Sequence, residues 1–136
     1  MNVTGSYFSV DGYKVTAERR NGWGSTAAAE VTLTIDGTSV TSVAEGVGPV
    51  HALDSALRGC LEGHFPDIDR VRLSDYKVSV VDAPKGTAAS VRVLVEATDG
   101  VRFWNAGCVS DNIIDASFEA LCSTAVMGIM RMEQPA

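Results

Sequence analysis

The sequence predicts an α+β fold in which a strand-strand-strand-helix unit occurs twice. Three observations carry this. Asp36-Gly37 and Asp99-Gly100 each lie between alternating apolar segments, the pattern of an antiparallel hairpin. Each hairpin is followed by a stretch whose apolar residues recur at helical spacing. The two helical stretches also share short identities, Val50-His51-Ala52-Leu53-Asp54-Ser55-Ala56-Leu57 lying against Ile113-Ile114-Asp115-Ala116-Ser117-Phe118-Glu119-Ala120-Leu121. A three-stranded sheet with one apolar face and one helix is marginal alone. The reading is therefore one two-layer sheet/helix domain over residues 1–136, made of two pseudo-symmetric βββα units at about 7–64 and 70–132.

The elements follow in order. Tyr7 to Arg19 alternates as a strand, with Asp11-Gly12 as a bend or bulge in its middle. Asn21-Gly22-Trp23-Gly24-Ser25 reads as a flexible connection, its Trp23 covering a core edge or lying at an interface. Ala29 to Ile35 places Val31, Leu33 and Ile35 on one face and threonines on the other. Thr38 to Ala44 then runs into Glu45-Gly46-Val47-Gly48-Pro49-Val50, a strand-to-helix corner. There two glycines allow backbone angles that a side chain forbids, and Pro49 suits a first helical position. Val50, Leu53, Leu57, Cys60 and Leu61 line the first helix, and Gly63 is its expected stop. The second unit takes strands at Leu73–Val81, Ala88–Ala97 and Val101–Val109, with an Asp82–Thr87 loop. Its helix carries a broad stripe from Ile113 to Val126, with Ser110 or Asp111 as the expected N-cap. In Phe103-Trp104 one ring must point away from the helix layer, which suggests an interface.

Composition excludes several classes. A net charge of −6 without a Lys/Arg cluster argues against nucleic acid as a partner. No apolar run near the roughly 18 residues of a membrane span is expected, and Met1 to Ser6 lacks a signal-peptide pattern. Cys60, Cys108 and Cys122 have no metal-type spacing, so the expectation is a reduced, cytoplasmic protein. No Cys–His, Ser–His–Asp, P-loop or metal motif stands in the chain, so no catalytic residue, metal or cofactor is expected. The glycine corner is the one local feature that could hold an anion, through bare amides at a helix start. A structural turn is the alternative. His51 stands in the first helical turn beside that corner, placed either for a ligand or for solvent. Asp75-Tyr76-Lys77 is either a ligand wall or a sheet-edge set.

Four motifs then follow one another in order: Glu45-Gly46-Val47-Gly48-Pro49-Val50-x-Ala52-Leu53; Leu73-Ser74-Asp75-Tyr76-Lys77-Val78; Gly86-Thr87-Ala88-Ala89-x-Val91-Arg92-Val93; and Val109-Ser110-x-Asn112-Ile113-Ile114-x-Ala116-Ser117. From about Tyr7 to Ala125 the chain resembles the C-terminal regulatory domain of the 2-isopropylmalate synthase and citramalate synthase family, the citramalate branch more than the leucine branch. The resemblance implies a homodimer that binds a branched-chain amino acid, isoleucine or leucine, as feedback inhibitor. A separate metal-dependent barrel in the family performs the acyl transfer. It implies that Gly46, Val47, Gly48 and Pro49 belong to the effector pocket, with His51 at its rim. Asp75 and Tyr76 match the strand beside the pocket, and Ser110, Asn112 and Ile113 match the equivalent corner of the second unit. The family carries Asn where Val47 stands and a small or short polar residue where His51 stands. These two departures, and the start at Met1, favour an alternative: a complete stand-alone copy put to use with another ligand, or as an enzyme. A third reading is a dimerisation module whose pocket has closed.

Overall fold

The alternation along Ser9–Arg20, Gly24–Ile35 and Thr38–Gly46 gives three strands, β1, β2 and β3, and the helical spacing gives α1 at Pro49–Leu61. The second set is β4 (Arg72–Val80), β5 (Val91–Thr98), β6 (Phe103–Ser110) and α2 (Ile113–Glu133). This computed structural model describes residues 7–22 and 24–133, so the reading of Trp23 lies outside the described residues. Each set of strands is an antiparallel sheet in sequential order, β1-β2-β3 and β4-β5-β6. The chain divides at Pro66/Asp67 into two compact units, one βββα set in each.

In the first unit Asp36 and Gly37 both take positive φ, 50° and 76°, which is what a two-residue hairpin turn requires. The expected irregularity at Asp11-Gly12 is a register shift between Val10 and Gly12. β2 starts five residues earlier than the sequence suggests, because Gly24–Ala28 continue the pairing with Arg20–Thr16. α1 packs on β2 and β3, burying Leu53, Leu57 and Leu61, with Val31, Leu33 and Ile35 buried on the sheet. Small residues permit the close approach: a Cβ on Gly59 would stand 2.1 Å from the Ser42 hydroxyl. Gly63 does not act as the left-handed stop. The helix closes through backbone bonds, with His64 N–H and Phe65 N–H both donating to Leu61 O at 3.0 and 2.8 Å.

In the second unit the hairpin after β5 is longer than its counterpart. Only Gly100 takes positive φ, and the Asp99 carboxylate accepts from Val101 N–H and Arg102 N–H at 2.9 and 2.8 Å, holding a four-residue loop. β6 therefore starts at Phe103 and not at Val101. β5 starts at Val91, since Pro84 and Gly86 (φ +62°) fold the preceding segment into a 3-10 turn. α2 packs on β5 and β6, where Val93, Val95, Ala97, Phe118 and Leu121 are buried. Trp104 is buried, its indole N–H donating to Thr124 O at 2.9 Å, with the Arg131 guanidinium 4.8 Å from its ring centre. Phe103 points the other way and is 63% exposed, as the alternation requires. The expectation of no span-length apolar run is corrected. By length and composition α2 would reach across a membrane, yet most of that stretch is buried inside the protein, as befits a core helix.

Candidate functional site

The glycine corner is built by a close approach of backbone to backbone. A Cβ on Gly46 would lie 2.4 Å from Ala52 N, so only glycine lets the end of β3 meet the first turn of α1. Gly48 is different. Its φ of −149° and ψ of 179° are ordinary extended values, and nothing lies within 4 Å of an added Cβ. It is the N-cap, with no side chain to cover the helix start, and Pro49 follows at the first helical position. The first helical bond runs from Ala52 N–H to Gly48 O at 3.0 Å. The N–H groups of Val50 and His51 therefore have no partner within the helix.

One expectation about this corner is corrected. The Val47 amide is not bare: it donates to His51 Nδ1 at 2.9 Å. His51 thus reaches back from the first turn to the amide one position before the N-cap. Val47 itself is 90% exposed. Beside it opens a cavity of about 320 Å³, whose apolar lining comes from Ala17, Ala27, Val47 and Pro49, with Gly48 between the last two. Its remaining lining comes from Glu18, Arg19, Ser25 and Thr26 at the far end of the β1–β2 hairpin.

These hairpin residues escape a reading of the sequence that ends β1 at Arg19 and treats Asn21–Ser25 as a loop. The signal was there: the alternation that puts Ala29 and Val31 on the helix side also puts Ala27 and Ser25 there. Their partners Ala17 and Arg19 share that face.

The second corner closes on itself. Asn112, and not Ser110 or Asp111, is the N-cap of α2: its Oδ1 accepts from Ile114 N–H at 2.9 Å and Asp115 N–H at 3.1 Å. The Ser110 hydroxyl oxygen accepts from Asn112 N–H at 3.0 Å. Ile113 is 43% exposed beside them. Asp75 and Tyr76 separate, because neighbours on a strand face opposite sides. The Tyr76 hydroxyl bonds the Ser117 hydroxyl of α2 at 2.9 Å. Asp75 takes its own neighbour's amide, Tyr76 N–H, at 3.0 Å and stands 3.5 Å from Lys77 Nζ. The sequence-derived residues thus form two groups, Gly46, Val47, Gly48, Pro49 and His51 on the first unit and the rest on the second.

Burial shifts several titratable groups in the two units. Burial pushes the Asp54 carboxyl up, against the pull of Arg58, whose Nε lies 3.2 Å away, and of His51. Burial also pushes the Cys60, Cys108 and Cys122 thiols up, away from the thiolate a nucleophile needs. Among the described residues, no group of three His, Cys, Asp or Glu side chains is placed to hold a metal ion.

The profile of a family described as "LeuA allosteric (dimerisation) domain" matches residues 2–128. The chain is similar to (R)-citramalate synthase of Aquifex aeolicus, 42% identical over 129 residues, 94% of this chain and 24% of that protein. It is 40% identical over 129 residues to (R)-citramalate synthase of Geobacter sulfurreducens, covering 94% of this chain and 24% of that one. With (R)-citramalate synthase of a Synechocystis species the identity is 45% over 103 residues, 76% of this chain and 19% of the relative. The chain spans about a quarter or less of the length of these relatives.

Proposed function

The chain belongs to the LeuA allosteric (dimerisation) domain family, and from that premise we propose that it is a non-catalytic, homodimeric sensor of a branched-chain amino acid, isoleucine or leucine. It would regulate a citramalate-synthase-type acyltransferase barrel in the same or a partner chain. The observation that supports this most is the uncapped start of α1 beside a cavity of about 320 Å³ with an apolar wall. An amino acid needs polar groups for its carboxylate and apolar groups for its aliphatic tail. We assign the first need to the Val50 and His51 amides at the helix start that follows the cavity's Val47-Gly48-Pro49 wall, and the second to Ala17, Ala27, Val47 and Pro49, which line the cavity. Asn112 leaves no such opening at the start of α2, so the first corner is the stronger candidate.

Regulation follows if the effector binds one arrangement of the dimer better than another, since a ligand shifts an equilibrium only by its differential affinity. A coupling of about 1–3 kcal/mol is the usual scale of such control. Three free thiols, all with raised pKa or buried, suit a reducing compartment, and we place the module in the cytoplasm. Titration calorimetry with isoleucine, leucine and valine tests the reading. Saturable heat from at least one of the three is expected, and silence from all of them overturns it. A second reading, a copy adapted to a different ligand, is favoured by one contact: His51 holds the Val47 amide and so removes one donor from the corner. Mass spectrometry of the purified protein decides between the two, since a retained small molecule other than these amino acids supports the second.

A further inference from the structure

We infer that Arg19 is the residue that recognises the ligand's carboxylate in the cavity beside the glycine corner, an assignment that rests on the ligand reading above. The corner cannot supply the whole of an anion site. Pro49 has no N–H, and the Val47 N–H is spent on His51 Nδ1 at 2.9 Å. A carboxylate with four lone-pair positions needs donors from elsewhere on the wall. Arg19 is the only cation that lines this cavity among the described residues.

Its position and the absence of an ion pair to any described residue point the same way. Arg19 pairs with Ser25 two positions beyond the Ala17–Ala27 pair, so all four share the face on which Ala27 is buried. Glu18, which also lines the cavity, is engaged by Arg20. Arg19 itself makes no ion pair with a described residue. An arginine beside an apolar wall presents a planar fork of donors that matches a carboxylate in two parallel bonds. The apolar residues Ala17, Ala27 and Val47 then take the aliphatic part of the same molecule. The class of ligand this geometry fits is a small branched aliphatic carboxylate, either an amino acid or the corresponding 2-oxo acid.

Calorimetry on the full chain and its variants separates the possibilities, with isoleucine, isoleucinamide and 3-methyl-2-oxopentanoate as probes. Arg19→Gln is expected to bind isoleucine about ten- to a hundredfold more weakly than wild type, with Arg19→Lys between them and the melting temperature unchanged. Isoleucinamide lacks the carboxylate, so Arg19→Gln should not weaken its binding further, and that non-additivity is what a merely structural role would not produce. Whichever of isoleucine and the oxo acid binds wild type more tightly identifies the source of the carboxylate. Retention of isoleucine binding within about twofold in Arg19→Gln overturns the assignment while leaving the ligand reading intact. So does an equal loss for isoleucine and its amide. No binding of any probe to wild type overturns the ligand reading, and this assignment with it.

Discussion

Gly46 and Gly48 sit two positions apart and do different things. Gly46 is required by space: any Cβ would meet the backbone of Ala52 at 2.4 Å, and backbone cannot swing aside as a side-chain end can. Gly46→Ala is therefore expected to destabilise the chain by about 1–3 kcal/mol, read as a fall in the denaturant midpoint. Gly48 has extended backbone angles and open space around it, so Gly48→Asp strains nothing. Aspartate is moreover a good N-cap, and stability should move by only a few tenths of a kcal/mol. Its carboxylate would lie over the Val50 and His51 amides, where the ligand's own carboxylate is proposed to sit. The expected result is a folded variant without measurable effector binding, and retained affinity would refute the proposed site. Either substitution alone could be misread; the pair separates a structural glycine from a ligand-facing one.

The two helices begin in opposite ways although their units share an order of elements. α2 starts with a side-chain cap, the Asn112 carboxamide taking two amides, so its N-terminus is internally satisfied. α1 starts with glycine and proline, which leave the amides of its first turn open, and His51 covers only the amide before the cap. Asn112→Ala should accordingly cost about 0.5–2 kcal/mol, seen in urea unfolding as a lower midpoint with an unchanged slope. Effector affinity should stay the same if the first corner alone holds the ligand. The sheets differ too. The first hairpin turns in two residues because Asp36 and Gly37 both accept positive φ, whereas the Asp99 carboxylate stabilises a longer loop through two backbone amides. An Asp-Gly pair alone does not distinguish these outcomes.

For the molecule as a whole, homodimerisation is the reading that has consequences in solution. Phe103, Leu94 and Val109 are 63%, 43% and 52% exposed on the face of the second sheet that α2 does not cover. Three large apolar groups on one face invite a partner. A folded dimer in equilibrium with unfolded monomer melts at a temperature that rises with protein concentration. That rise is expected for the wild type. Phe103→Ser should lower the melting temperature most at low concentration if this face contributes to the contact. A melting temperature independent of concentration over the micromolar range, together with a monomer in sedimentation, would refute the dimer.

While the structure decided that Phe103 is the outward one, order and alternation in the sequence determined the repeated βββα unit, the two hairpins and the opposite facing of Phe103 and Trp104. These depend on periodicity and turn chemistry, which are local. The same holds for the corner at Gly46–Pro49, since its punctuation by two glycines and a proline is local as well. What the tertiary structure decided is which atoms at that corner remain open. Pairing carried β2 back to Gly24 and so brought Arg19, Ser25 and Ala27 to the cavity, and the fold of one helical turn put His51 Nδ1 on the Val47 amide. Strand pleating sent Asp75 and Tyr76 to opposite faces. Such outcomes rest on register and on competition for each donor between near neighbours, and these are settled only when the chain is packed.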